Sequence, residues 1–249
     1  FPWCLGYLMD SFPYDHLVID DFFPLDKAKK LSQEFPEYNN DLWYQYKNPL
    51  ENKKSSNTWW DFPPETYKTF CFLNSCEFLN TLREKTGIEK LYPDIGLHGG
   101  GWHIHGRGGK LNIHLDYSIH PKSGLQRKLN LIVYLTEDWK SEWGGGLELW
   151  SHNPDKKLPL KREKTINNVF NRAILFDTTQ NSWHGLPQPL SCPEGVYRKS
   201  LAVYYMTDPP DQVDPRQRAL YAPTKEQSDD KKVLDFIQTR VKYGTSRTT

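Results

Sequence analysis

The chain has 249 residues, enough to bury a core without disulfide or metal staples. Lys plus Arg number 32 against 31 for Asp plus Glu, and a net charge of +1 leaves no overall electrostatic footprint for nucleic acid or an anionic membrane. No stretch approaches the ~18 apolar residues of a membrane-spanning helix, and four scattered cysteines without a Cys-x-x-Cys pair exclude a disulfide framework and argue against a structural zinc.

Reduced thiols imply a cytoplasmic setting. The opening Phe1-Pro-Trp-Cys-Leu-Gly has neither a basic n-region nor a long apolar run, so no signal peptide is expected. His16 to Phe23 reads as a strand ending at Pro24. Asp26 then caps a short helix with Ala28, Leu31 and Phe35 on one face, stopped by Pro36. Residues 37–64 are polar and rich in Asn and Pro, and read as a long loop with at most an edge strand. Its Trp43, Tyr44, Trp59 and Trp60 either line a cleft or pack over the core. A helix is predicted from Pro64 to about Lys85, with Tyr67, Phe70, Cys71, Phe78 and Leu82 as its buried stripe, Cys76 also inside it, and Gly87 at its end.

From Leu91 to Tyr205 short alternating runs are separated by Gly, Pro, Asn and Asp. They fall near 96–104, 110–117, 128–135, 147–151, 173–177 and 196–206, the spacing of an all-β sandwich or barrel. The aromatic content of 14% suits pleated faces. Gly99-Gly-Gly101 and Gly144-Gly-Gly146 lead into strands, and Gly106-Arg-Gly-Gly109 reads as a hairpin turn; no Lys-Ser/Thr or helix follows, so neither glycine run is a phosphate loop. Glu226 to Tyr243 carries Val233, Phe236, Ile237 and Val241 at helical spacing.

The chemistry centres on Leu111-Asn-Ile-His-Leu-Asp116. On a strand, His114 and Asp116 project from one face, and Asn112 shares it. A His-x-Asp pair arises easily by chance, so its meaning depends on a third ligand. His120 precedes Pro121 in a polar loop, and His152 sits in the turn Ser-His-Asn-Pro-Asp. His184, placed where the strand after Ala173 feeds a turn, is the better choice. Two imidazoles and one carboxylate with open positions are the mark of a non-haem Fe(II) oxygenase site. Such a site commonly draws electrons from an oxo-acid whose far carboxylate needs a cation. Arg198, facing inward on its strand, is the candidate, and Tyr134 could share the task. His103 and His105 share a strand face and could look into the cleft or out to solvent.

In this order the residues resemble the 2-oxoglutarate and Fe(II)-dependent dioxygenases, most closely the prolyl-hydroxylase-type branch. The resemblance covers about residues 96 to 206: His114-Leu-Asp116, Arg127 leading into Leu131-Ile-Val-Tyr-Leu-Thr, Gly145-Gly-Leu-Glu-Leu, Phe170-Asn-Arg-Ala-Ile-Leu-Phe176, His184 and Arg198. The tyrosine that prolyl hydroxylases place before His-x-Asp has no match; Trp102, His103 and His105 occupy that region.

The resemblance implies a mainly β protein with a double-stranded β-helix (jelly-roll) core and flanking N- and C-terminal helices. One domain would comprise an N-terminal part (1–95), the catalytic jelly roll (96–206) and a tail with a helix (207–249). It implies Fe(II) on His114, Asp116 and His184. It implies 2-oxoglutarate on Arg198 with help from Tyr134, and O2 as oxidant with ascorbate as a candidate accessory reductant; Asn112, on the strand face of His114, is a candidate contact to substrate or co-substrate. Substrate would lie near His103, His105 and Arg127. The expected reaction is hydroxylation of a peptidyl or free amino acid such as proline, with release of succinate and CO2. Retention of Asp116 favours hydroxylation over halogenation. The alternatives are the same chemistry on a nucleobase or other small metabolite, or a jelly-roll module that binds metal or ligand without turnover.

Overall fold

The computed structural model describes residues 9–243; the opening stretch read above for a leader, with Cys4, lies outside them. Strand β1 (His16–Ile19) is followed by helix α1 (Leu25–Gln33). A hairpin, β2 (Tyr44–Asn48) and β3 (Glu51–Ser56), precedes helices α2 (Pro64–Leu73) and α3 (Cys76–Thr86). Next come β4 (Tyr92–Pro93), β5 (Gly101–His105), β6 (Lys110–Leu115), β7 (Gln126–Tyr134), β8 (Leu147–Asn153) and β9 (Leu158–Ile166). The chain closes with β10 (Ala173–Asp177), β11 (Trp183–Leu186), β12 (Arg198–Thr207), β13 (Leu220–Tyr221) and α4 (Lys231–Tyr243).

All strand pairs are antiparallel. The order β1-β10-β7-β12-β5-β3-β6-β11-β8-β9 curls into a half-barrel, with β4, β2 and β13 added on β12, β3 and β6. This agrees with the sandwich or barrel that the strand spacing predicts and with the jelly roll that the resemblance implies. No helix among the described residues is long and apolar enough to cross a membrane.

Period two decides which side of the sheet is core and which is cavity. On β7, Leu129, Leu131 and Val133 enter the main core, as do Leu201, Val203 and Tyr205 on β12. Helices α1 to α3 cover that face with Leu31, Phe70 and Phe78. Trp102 of β5 is sealed among Phe35, Trp43 and Phe62, at ring separations of 5.5, 6.0 and 5.0 Å. Each such buried side chain contributes roughly 1.5–3 kcal/mol over leaving it exposed. The alternate residues, Asn130 and Ile132 on β7 and Arg198, Ser200 and Ala202 on β12, face the hollow of the half-barrel.

Several elements differ from expectation. Residues 44–56 are a hairpin, not a loop, and β3 is interior: it pairs with β5 through Lys54–Ile104 and with β6 through Glu51–Leu111. β5 and β6 are therefore not hairpin partners. The Asn48 side chain accepts from the Leu50 and Glu51 amides and fixes the β2–β3 turn. The 64–85 helix is broken at Asn74-Ser75, because the Ser75 hydroxyl accepts from the Phe78 amide and starts a new helix. Cys71, Cys76 and Tyr67 are exposed, not packed. Asp26 lies in the first turn of α1, behind Pro24, and makes no cap bond. α4 buries Val233 and Ile237, but Val241 faces solvent.

Candidate active site

His114 and Asp116 stand at the end of β6, and antiparallel pairing with β11 sets His184 directly opposite His114. Each imidazole Nδ1 lies against a backbone carbonyl, Asn112 O at 2.9 Å for His114 and Ser182 O at 2.8 Å for His184. A carbonyl only accepts, so Nδ1 carries the proton and the Nε2 lone pair is left free. Both Nε2 atoms turn to the Asp116 carboxylate, at 3.6 Å (His114) and 3.8 Å (His184). The three donor atoms lie within 4.8 Å of one another. Burial, with the charge field of His114, lowers the His184 pKa to about 4, which keeps its lone pair available at neutral pH.

Asp116 is held from behind. Arg127 Nη1 meets its Oδ1 at 3.2 Å, and Asn130 donates to its Oδ2 at 3.1 Å. Burial alone would raise this carboxyl; Arg127 and the two imidazoles overcome it and hold Asp116 well below the usual carboxylate range. The Arg127 guanidinium is clasped between the rings of Tyr117 and Tyr204, 3.4 and 3.3 Å from their centroids, and donates to His98 O at 2.9 Å. The sequence reading set Arg127 against substrate. It does border the cavity, but its charge is committed to the ligand carboxylate.

At the other end of the cavity Arg198 opens β12. It is 3% exposed, and no carboxylate pairs with it among the described residues. Its Nε donates to Gly145 O at 2.8 Å, and its guanidinium carbon lies 4.8 Å from the Tyr134 ring centroid. The Tyr134 hydroxyl is buried beside it with no hydrogen-bond partner. An unpaired buried cation beside an orphaned hydroxyl is costly unless an anion completes it.

Asn112 is not in the cavity. Register shifts between the pairs His184–His114 and Leu186–Leu111, placing one extra residue in β6. This bulge breaks the alternation, so Leu111 shares the cavity face with His114 while Asn112 turns outward. Its Nδ2 donates to Ala222 O at 3.2 Å and Gln227 Oε1 at 2.7 Å, tying β6 to the C-terminal segment.

His103 and His105 both border the cavity. His103 Nε2 lies 3.1 Å from Gly99 O, whereas both ring nitrogens of His105 are buried without partners. Burial lowers His103 to about 3 and His105 well below its ordinary value, with Lys53 and Arg198 adding in the same direction. The histidines set aside as ligands are placed elsewhere: His120 is buried against Asp94 at 3.6 Å, and His152 accepts from Trp183 Nε1 at 3.0 Å. Trp43 is in the core and Trp60 is exposed, so the tryptophans of residues 37–64 do not line the cavity.

The sequence reading missed β3, whose Glu51, Lys53 and Ser55 face the cavity together with Tyr46, Arg218 and Arg240. The available signal was the turn chemistry of Asn48-Pro49; residues 51–56 are polar throughout and offer no alternation to an apolar pattern search.

Residues 100–206 match the 2OG-Fe(II) oxygenase superfamily. This segment is a 2OG-Fe(II) oxygenase domain. The fold is shared with a prolyl-4-hydroxylase of Pseudomonas putida (TM-score 0.55, 13% identity, covering 78% of this chain and 93% of that one). It is shared too with a prolyl hydroxylase of Trichoplax adhaerens solved with a hypoxia-inducible-factor peptide (TM-score 0.52, 16% identity, 77% and 83% covered). A third likeness is to a prolyl 4-hydroxylase from Phytophthora capsici (TM-score 0.52, 22% identity, 92% and 73% covered). No curated protein matches in sequence.

The oxygenase uses Fe(II) and 2-oxoglutarate. Its residues fit both. Two imidazoles and a carboxylate within ligand reach suit a divalent iron. The bare guanidinium of Arg198 suits a carboxylate.

Proposed function

We propose that this oxygenase hydroxylates a C–H bond of an amino acid, free or in a peptide. His114, Asp116 and His184 hold the iron, Arg198 and Tyr134 hold the far carboxylate of 2-oxoglutarate, and His105 and His103 face the substrate. The observation that carries the reading is the convergence of two carbonyl-anchored imidazoles on Asp116, with an unpaired buried arginine in the same cavity. When bound, iron and 2-oxoglutarate supply oxidative decarboxylation to succinate and CO2 and the transfer of one oxygen atom of O2 into the substrate.

The protein's part is placement and exclusion. The carbonyls of Asn112 and Ser182 fix both ring orientations. Arg127 and Asn130 fix the carboxylate. Ile132, Leu147 and Leu186 line the inner cavity and limit water there.

Two variants test the assignment. His114→Ala should lose iron and with it succinate formation; a variant that decarboxylates 2-oxoglutarate at the wild-type rate removes the site from its role. Arg198→Ala should weaken 2-oxoglutarate by roughly a hundredfold through loss of a charge-assisted pair, with Mn(II) affinity unchanged. Mass spectrometry of amino acids and peptides incubated with the loaded enzyme should find a gain of one oxygen atom.

A further inference from the structure

The cavity of about 290 Å³ falls just below the usual size of ligand pockets, roughly 300–1,000 Å³. Its charges are unequal. Five cationic side chains border it and only two carboxylates, Glu51 and Asp116. Asp116 is taken by Arg127. Glu51 is buried and taken by Arg240 at 2.8 Å and the Tyr221 hydroxyl at 3.0 Å. Three cations are left: Arg198, Lys53 and Arg218.

Iron(II) and 2-oxoglutarate carry equal and opposite charge, so loading both leaves that excess unchanged. The far carboxylate of 2-oxoglutarate engages Arg198. Lys53 and Arg218 remain. The Lys53 ammonium is largely buried, 5.1 Å from the Tyr46 ring centroid; it reaches Glu51 only at 3.6 Å, on an oxygen already bonded by Tyr221. Arg218 is half-buried, with no acidic partner among the described residues. The imidazoles that feel these charges are neutral near pH 7: His98, near Arg218, is lowered to about 4 and His103, near Lys53, to about 3, each first by burial. Glu51, shared with Arg240, offsets Lys53 only in part, and no acidic group among the described residues offsets Arg218. Low-dielectric walls focus such a field on whatever enters.

We propose that the substrate is a small molecule bearing an acid group, carboxylate or phosphate, which Lys53 and Arg218 hold in the outer part of the cavity. This rests on the iron and 2-oxoglutarate reading above and narrows it. A free amino acid, with its own carboxylate, fits; a peptide fits only through an acidic side chain or a C-terminus. A cationic substrate is excluded.

The test uses the whole protein loaded with Mn(II) and saturated with 2-oxoglutarate. Inorganic phosphate is followed by ³¹P relaxation and carboxyl-labelled acetate by ¹³C relaxation, with methylammonium as the cationic probe. At least one anion should show saturable relaxation enhancement by Mn(II), and which one does separates phosphate from carboxylate recognition. Lys53→Gln/Arg218→Gln should weaken it roughly tenfold or more, the scale of a lost charge-assisted hydrogen bond, while Lys53→Arg/Arg218→Lys should retain it. The proposal is overturned if neither anion is relaxed, if the enhancement survives the neutral double variant, or if methylammonium is bound. If the protein fails to load Mn(II) and 2-oxoglutarate, the functional reading falls and this one with it. If it loads both and binds no anion, this inference alone falls.

Discussion

Arg127 and Asp116 meet at 3.2 Å, Nη1 to Oδ1, with side chains only 2% and 8% exposed. Removing one partner of a buried pair leaves an uncompensated charge, at a cost of roughly 3–5 kcal/mol. Arg127→Met keeps much of the volume between Tyr117 and Tyr204 but strands the carboxylate. A divalent ion on Asp116 replaces the missing charge. The variant should therefore be destabilised most without metal, and Mn(II) should restore more stability to it than to wild type. Thermal melts with and without Mn(II) measure this. Equal losses in both states, or a change confined to substrate KM, would return Arg127 to the role of a substrate contact.

The bulge in β6 gives a second test. Asn112→Ala removes bonds to Ala222 O and Gln227 Oε1 from a fully buried side chain. Stability should fall by about 1–3 kcal/mol. The dissociation constant for 2-oxoglutarate, measured anaerobically by calorimetry, should not move. A clear weakening would mean that Asn112 reaches the co-substrate after all.

These two residues show what the sequence could and could not disclose. His114 and Asp116 can be picked out because Ile113 and Leu115 beside them are apolar, and Arg198 because Leu201, Val203 and Tyr205 mark the opposite face of its strand, whereas His184 follows from its place after the strand that begins at Ala173. Asn112 was misplaced because one extra residue shifts every side chain behind it to the other face, and a bulge leaves no mark in a hydrophobic pattern. β3 was invisible for a related reason. Its Glu-Asn-Lys-Lys-Ser-Ser lines a polar cavity, so the strand has no apolar face to declare it. The break between α2 and α3 rests on a single serine hydroxyl. The pairing of Arg127 with Asp116 joins separate strands and follows only from the sheet order.

Acid should loosen the metal-free protein. His184 titrates near 4 in the fold because burial and His114 oppose its charging more than Asp116 and the Ser182 carbonyl favour it. Unfolded, it titrates near 6.5. Between these values the unfolded chain binds the proton that the folded one refuses, so stability falls as pH drops from 6.5 toward 4. His98 and His103 are shifted the same way. Asp116 acts only below that window, since its folded pKa lies under the unfolded carboxylate value. From pH 7 to pH 5 the loss for His184 alone is on the order of 2 kcal/mol. Urea midpoints across this range check it; a flat profile would place a charged imidazole in the site.

Gly145 ties the glycine run to the co-substrate site. Its φ of +78° suits glycine, its carbonyl accepts from Arg198 Nε, and an added Cβ would stand 3.0 Å from Arg198 Cδ and 2.9 Å from Leu190 Cδ2. Gly145→Ala should therefore do two things: strain the backbone by about 1–2 kcal/mol and push Arg198 off its position. Gly124→Ala separates them, because Gly124 has a φ of +71° with nothing within 4 Å of the added Cβ. Both variants should melt lower than wild type. Only Gly145→Ala should weaken 2-oxoglutarate, by roughly tenfold, as expected when a charge-assisted pair is held off its geometry. Mn(II) affinity should be unchanged in both. If the two alanine variants bind 2-oxoglutarate alike, the glycine serves only the turn, and Arg198 keeps its place without help from Gly145.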